Sequence, residues 1–478
     1  MSTHVLLGLL SLAGFACLAP ARGGDDAFDA RFTGRSLRVD YHHAGTAGEE
    51  HVALDALRLE GAWPGSRTQL VDTTGMGKYR FGVLDPESGE LLYSRGFASI
   101  YGEWETTAEA RAQWRVFHES QRFPEPRGPV TLTLEKRGAD GAFAELWRQD
   151  VDPTGRFVDR SALSGEVEVQ ALFENGPPAT QVDLLVVSDG YTAGTKAKFF
   201  ADAKRLVDVM FATEPFARRK VDFSVRALFV PSPEQGIPNP RKDVWPATAL
   251  GLSFNAFDSD RYVLTYENET LREAAAHAPY DALILLFDSR KYGGGGIFNL
   301  WATCASDTEP APYVFVHEFG HSFGGLADEY YSSPVSYEDF VAPGTEPWEP
   351  NVTALLDPAK LKWRDLVEPS TPLPTPWQKE PYDAYDRERQ KVRAEKIAAG
   401  ASEEEMEALF REVKAVTKPM LEGERYFGKV GAFEGAAYEA RGLYRPEIDC
   451  IMFTRDEVGF CAVCRRAIER VIDMYARP

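Results

Sequence analysis

The spacing of hydrophobic and polar positions changes character part-way along the chain. Between residues 28 and 153 the apolar positions come in short runs, over 36–41, 52–59, 79–84, 91–94, 130–136 and 143–149. Turn formers separate them, among them Asp85-Pro86-Glu87-Ser88-Gly89 and Gly138-Ala139-Asp140-Gly141. Short β-rich runs punctuated by Gly, Pro and Asp are strands joined by tight turns. They predict an all-β sandwich domain over residues 28–155. Trp104, Trp114, Trp147 and His118 are read as its packing rather than as a ligand platform.

A mixed stretch at 161–181, containing Gly176-Pro177-Pro178, reads as a connection, and after it the pattern changes. Residues 182–187 and 282–287 are continuous apolar runs, 223–230 is strand-like, and 197–210 and 271–277 carry a helical period. Strands alternating with helices predict an α/β domain over residues 165–478. Residues 337–381 are rich in proline and predicted irregular. Beyond them, alternating charge with Ile397, Met406, Leu409 and Phe410 at helical spacing, broken near Gly400, predicts a solvated helical hairpin inserted at about 384–420. Nothing in its residues marks it as a lid. Residues 462–475 close the chain as a helix.

A chain of 478 residues is too long for one ordinary core, which agrees with two domains. With 44% hydrophobic and 12% aromatic residues it is a globular protein, and its formal net charge of −20 argues against a nucleic-acid partner. Residues 5–18 are apolar and are followed by Ala19-Pro20-Ala21, the pattern of a secretory signal over residues 1–21. The expectation is an exported, extracytoplasmic protein, although the start lacks Lys or Arg. That run is shorter than the ~20 residues a bilayer requires, so no integral membrane segment is expected.

The chemistry concentrates in residues 312–330. An apolar helix opening at Pro312 and stopping at Gly324 carries His317, Glu318 and His321. Histidines four apart leave one helix face, so their imidazoles converge on a single ion while the adjacent carboxylate reaches its water as general base. A chance occurrence would bury two imidazoles and a carboxylate among Val314, Phe315, Val316 and Phe319 with nothing to pair them. A catalytic zinc wants a third protein ligand. Where H-E-x-x-H-x-x-G-x-x-H has its third histidine this chain has Ala327, and the other six of its eight histidines all lie upstream. A carboxylate is therefore expected, Asp328 first, with Glu329 as the alternative or as an orienting partner.

Gly293 to Gly296 lack the Lys-Ser/Thr of a phosphate loop, and suit either an exposed edge where an extended peptide pairs or a plain flexible loop. No nucleophile elbow suggests Ser-His-Asp chemistry, and no histidine lies near the later cysteines.

Several stretches together resemble the M64 peptidases, also called IgA peptidases, which are zinc metallopeptidases of the metzincin type. They are His317-Glu318-Phe319-Gly320-His321-Ser322-Phe323, Leu326-Ala327-Asp328-Glu329-Tyr330, Asp189-Gly190-Tyr191-Thr192, Tyr292-Gly293-Gly294-Gly295-Gly296-Ile297, residues 430–436 and Tyr444-Arg445-Pro446-Glu447-Ile448-Asp449-Cys450-Ile451-Met452. The resemblance implies an N-terminal accessory β domain, a metzincin-like catalytic domain and a methionine turn at Met452. It does not carry immunoglobulin A over as the substrate. Losing Cys17 with the signal leaves Cys304, Cys450, Cys461 and Cys464. Three of these suit a structural zinc site, but no fourth ligand is evident nearby in sequence; a disulfide pinning the methionine turn to the last helix is the expectation.

The expected function is a secreted zinc-dependent endopeptidase acting on a protein or peptide. One catalytic Zn2+ sits on His317, His321 and Asp328, Glu318 is the general base, and Tyr444 or Tyr330 is the candidate for the oxyanion. Two alternatives stand beside it: a zinc amidase acting on cell-wall or glycoprotein material, and a non-catalytic binding protein with a structural metal, against which Glu318 argues.

Overall fold

The structure is a computed structural model that describes residues 24–332, 341–342, 344–456 and 458–476. The segment read as a secretory signal, with Cys17, lies outside the described residues, as does the beginning of the proline-rich stretch at 337–340.

The elements in chain order are α1 (Gly24–Arg31), β1 (Phe32–Gly45), β2 (Glu50–Ala62), β3 (Tyr79–Leu84), β4 (Leu91–Phe97), α2 (Ile100–Trp104), β5 (Arg115–Pro126), β6 (Val130–Arg137), β7 (Phe143–Val151) and β8 (Val158–Asp159). There follow β9 (Glu168–Phe173), β10 (Val182–Asp189), α3 (Lys196–Met210), β11 (Phe223–Phe229), α4 (Asn268–Ala275), β12 (Ala282–Phe287), β13 (Gly294–Ile297), β14 (Trp301–Ala305) and α5 (Ala311–Gly324). The last are α6 (Lys379–Ala398), α7 (Glu403–Glu422), β15 (Phe433–Ala436), β16 (Glu439–Arg445) and α8 (Ala462–Ala476).

The first strands form two four-stranded sheets, ordered β5-β1-β2-β8 and β4-β3-β6-β7. Alternate residues send Leu37, Val39 and Tyr41 from one sheet and Phe81, Val83 and Leu132 from the other into a shared core. The opposite face of β1 is buried too, which an isolated sandwich would not do. There Arg38 pairs with Asp40 at 2.9 Å, Glu60 at 3.0 Å and Glu273 of α4 at 2.8 Å, while Arg122 reaches Glu60 at 2.7 Å and the Tyr280 carbonyl at 2.9 Å. Buried charge of this kind persists only where every member is paired. The two units therefore meet through a paired polar layer beside an apolar one, in which Met76, Ala98, Ile100, Trp104 and Phe117 join the core of the second unit.

The later strands make one six-stranded sheet, ordered β13-β14-β12-β10-β11-β9. Its four inner strands are parallel and β13 and β9 are antiparallel edges. Val182, Leu184, Leu185, Val186 and Val187 are fully buried, as a parallel strand covered on both faces requires. Strand β9 lies inside the stretch read as a plain connection. As a mostly exposed edge strand it has little apolar pattern to reveal it.

Two further expectations change. The hairpin α6–α7 begins at Lys379 and ends at Glu422, longer than 384–420, with Ser402 and Glu405 forming a capping box at the turn. It is not wholly solvated, because Tyr382, Leu409, Thr417 and Leu421 are buried. Cys304, Cys450, Cys461 and Cys464 are all free thiols, so the expected disulfide is not formed; Cys450 and Cys464 hold their sulfurs 3.8 Å apart. A disulfide would require about 2.05 Å.

A buried histidine makes the first unit sensitive to pH. His43 Nε2 lies 2.7 Å from Glu50 and Nδ1 3.0 Å from Glu119, and the ring stacks 4.0 Å from Tyr101. Burial pushes the imidazole down, but Glu119 and Glu50 outweigh it and hold His43 at about 9. Glu50 is correspondingly lowered to about 2, its burial outweighed by His43 and Lys136. A raised imidazole contributes stability in full below the ordinary value near 6.5 and loses it as pH rises through the folded value. Calorimetry on the full chain should show thermal stability falling between pH 6.5 and 9, by on the order of 3 kcal/mol from this group. His43→Gln should be the less stable protein at pH 6 and should lose most of that slope.

Candidate active site

Helix α5 is closed by Gly325, whose left-handed φ of 62° lets its N–H reach the His321 carbonyl at 3.1 Å while Leu326 N–H reaches Gly320 at 3.3 Å. The chain turns back sharply enough for the Leu326 carbonyl to meet His321 Nδ1 at 2.6 Å. Asn351, fully buried, then fixes the exit segment. Its Oδ1 accepts from Ala327 N–H at 2.8 Å, and its Nδ2 donates to the Ala327 carbonyl at 2.9 Å and to Glu329 Oε1 at 3.0 Å. Glu329 N–H donates to the Met452 carbonyl at 2.8 Å.

These constraints bring His317, His321 and Asp328 together. The two Nε2 atoms are 3.1 Å apart, and Asp328 Oδ1 lies 3.1 Å from His317 Nε2 and 3.3 Å from His321 Nε2. His317 Nδ1 faces the Ile451 carbonyl at 2.9 Å and the Tyr313 hydroxyl at 3.1 Å. A carbonyl accepts but never donates, so both rings carry their proton on Nδ1 and turn a lone pair inward. Two lone pairs and a carboxylate oxygen with no hydrogen-bond donor of its own converge on one point. Such a donor set fits a divalent cation, since ligands at zinc distances around a tetrahedral centre lie ~3.3 Å from one another.

Electrostatics follow the same geometry. Burial pushes the Asp328 carboxyl up, but His321 and His317 hold it well below the usual range. Burial also raises Glu318, against the two imidazoles. Tyr438, a residue the sequence reading missed, donates its hydroxyl to Asp328 Oδ2 at 2.6 Å and so aims Oδ1 inward. Asn351 was missed as well. It stands in a proline-rich stretch without periodicity, whereas Tyr438 closely follows the quoted stretch 430–436.

The acidic pair divides. Asp328 turns to the imidazoles and Glu329 turns away, towards Cys464 Sγ at 3.3 Å. Of the tyrosines expected at the oxyanion, Tyr330 lines the cleft; Tyr444 lies in β16, its N–H on the Thr353 carbonyl at 2.9 Å, outside the cleft lining. Met452 packs beneath the helix: a Cβ on Gly320 would stand 3.1 Å from its sulfur.

The cleft has a volume of about 550 Å³. Gly294, Gly295 and Gly296 form one wall, Lys78, Glu103 and Arg137 come from the first unit, and Tyr382, Arg393 and Phe410 from the hairpin. The glycines form edge strand β13 and lie directly on α5. A Cβ on Gly296 would stand 2.3 Å from the Glu318 carbonyl oxygen and 2.8 Å from His321 Cβ. Neither the phosphate loop nor the flexible loop describes them.

Residues 170–472 match the family model described as IgA Peptidase M64, and residues 27–148 match that of the Peptidase M64 N-terminus. The chain belongs to the M64 peptidase family. No curated protein matches it. Membership makes it a peptidase, and zinc dependence is what the M64 family implies. No helix among the described residues of this M64 peptidase is long and apolar enough to cross a membrane.

The close approach of β13 to α5 is testable. Gly296→Ala puts a methyl group into backbone that cannot retreat, so strand and helix must part. The expected result is a loss of peptidase activity of at least about tenfold with destabilisation of about 1–3 kcal/mol. Parent-like kcat/KM with an unchanged melting temperature would show that the contact is slack.

Proposed function

We propose that this M64 peptidase is a zinc-dependent endopeptidase of the metzincin type, exported from the cell, that hydrolyses peptide bonds with Glu318 as general base. The observation that carries the reading is the convergence of His317 Nε2, His321 Nε2 and the donor-free Asp328 Oδ1 within 3.3 Å of one another. These three residues hold the ion. When bound, zinc lowers the pKa of water and polarises a carbonyl group.

The protein's own groups do the rest. Glu318 is buried beside the two imidazoles, placed to take a proton from water and pass it to the leaving amine. Tyr438 and Asn351 keep Asp328 on station. Tyr330, at the cleft wall, is the group for the carbonyl oxygen as negative charge develops. An extended substrate lies along β13. There Gly293 accepts from Ala305 N–H in the ladder with β14, so by strand alternation the Gly296 backbone groups face the cleft.

Glu318→Gln keeps the shape and removes the base. The expected outcome is unchanged zinc content with hydrolysis reduced roughly 10²–10⁴-fold, measured as peptide cleavage beside metal analysis. A variant as active as the parent excludes Glu318 as the base. Chelation should abolish activity in the parent, and added Zn2+ should restore it.

Three guanidinium groups line one side of the cleft, one of them, Arg455, paired with Glu407 at 2.9 Å. Arg261, Arg393 and Arg455 gather around Tyr292 and Phe410, with Arg393 lowered to about 10, first by burial and then by the other two guanidinium groups. This supports a preference for a carboxylate-bearing side chain close to the scissile bond. Profiling with a peptide library should return acidic residues at one subsite, and Arg393→Ala should raise KM for those peptides more than it lowers kcat. A library profile blind to acidic residues would discard the preference.

A further inference from the structure

A second cluster of metal-binding groups lies behind the first. Cys450, Cys461, Cys464 and Glu329 bring one ligand atom each within 4.8 Å of one another, and all four residues are buried. We propose that they bind a structural Zn2+, distinct from the catalytic ion, that clamps the methionine turn and the Asp328 segment to helix α8.

The distances suit that ion. Sulfurs 2.3 Å from a tetrahedral zinc stand ~3.7 Å apart, and a carboxylate oxygen stands ~3.5 Å from such a sulfur. Cys450 and Cys464 have their sulfurs 3.8 Å apart, and Cys464 Sγ is 3.3 Å from Glu329 Oε1. Glu329 has no exposed surface, and its Oε2 has no hydrogen-bond partner. A buried carboxylate oxygen without a donor is costly unless a cation meets it.

The surroundings are those of thiolates. Cys461 N–H points at Cys450 Sγ at 3.3 Å and Cys464 N–H at Cys461 Sγ at 3.4 Å. Cys461 directly precedes α8 and Cys464 lies in its first turn, where the helix dipole favours negative charge. Arg445, fully buried and hydrogen-bonded to the carbonyls of Gly435 at 2.8 Å and Ile448 at 3.2 Å, adds positive charge nearby. Sequence spacing concealed the fourth ligand, because Glu329 lies 121 positions before Cys450.

Position gives the ion its role. Glu329 is bonded to Asp328, and Ile451, whose carbonyl orients His317, directly follows Cys450. Holding Glu329 and Cys450 on one ion therefore fixes two of the three catalytic donors from behind. Loading replaces the thiol protons, which leave to solvent as the Zn–S bonds form.

Metal analysis by native mass spectrometry on the full chain separates the two sites. The parent should carry two zinc ions, and His317→Ala/His321→Ala should retain one, with Cys450, Cys461 and Cys464 unreactive to thiol reagents until a chelator and denaturant are added. Cys461→Ser/Cys464→Ser should hold at most one. Should that variant fail to fold, cobalt loading of the double-histidine variant gives an independent reading, a thiolate-to-cobalt charge-transfer band. A double-histidine variant without metal, or a disulfide among the three cysteines in protein purified without reductant, overturns the proposal. A double-histidine variant with one ion beside a parent that also holds only one would support it and sink the catalytic zinc instead.

Discussion

Everything at the candidate site depends on where two protons are. The carbonyls of Leu326 and Ile451 hold the Nδ1 protons of His321 and His317, and this leaves two lone pairs 3.1 Å apart. Bare lone pairs at that separation repel, and the carboxylate oxygen beside them has no donor. Such an arrangement is costly unless a cation meets it. The glycine turn after α5, the Asn351 clamp and the Tyr438 hydroxyl all serve to bring three acceptors to one point.

The rest of the molecule explains how that point comes to lie in a cleft. Edge strand β13 and α5 supply one wall, and neither alone encloses the cleft. The first unit docks through buried ion pairs such as Arg38 with Glu273, and through Ala98 N–H on the Phe298 carbonyl at 2.9 Å, next to β13. The hairpin α6–α7 brings Tyr382, Arg393 and Phe410 to the cleft. The cleft is thus lined from the first unit, from β13 and α5, from the hairpin, and from residues 345–349 and 453–456.

Much of this was legible where local rules govern. The helix with His317 and His321 could be read because a four-residue spacing has one geometric meaning, and buried strands such as β10 because continuous apolar runs do too. Edge strand β9, with four of its residues exposed, carries no such pattern. Asn351 and Tyr438 act through hydrogen bonds to segments far off in sequence, and a polar residue in an irregular stretch announces no partner. The cysteines were misread for the same reason: with Glu329 invisible as a neighbour, three thiols suggested a disulfide. The hairpin's charges were visible but not its direction, since only a few buried residues on α6 and α7 distinguish the covered side from a solvated one.

The Asp328-Glu329 pair shows how tightly the two sides of the site are coupled. The two consecutive side chains leave on opposite sides of the segment, one to the imidazoles and one to the sulfurs. Asp328 therefore faces the imidazoles because Glu329 faces the sulfurs, and the Glu329 N–H on the Met452 carbonyl holds the peptide unit between them in register. A slip of one residue would present the longer carboxylate to the histidines and the shorter one to the cysteines, leaving both donor sets misplaced. The Asn351 side chain, bonded to Ala327 on both its backbone groups and to Glu329, blocks that slip. The position of Asp328 beside the imidazoles is thus set from the buried face.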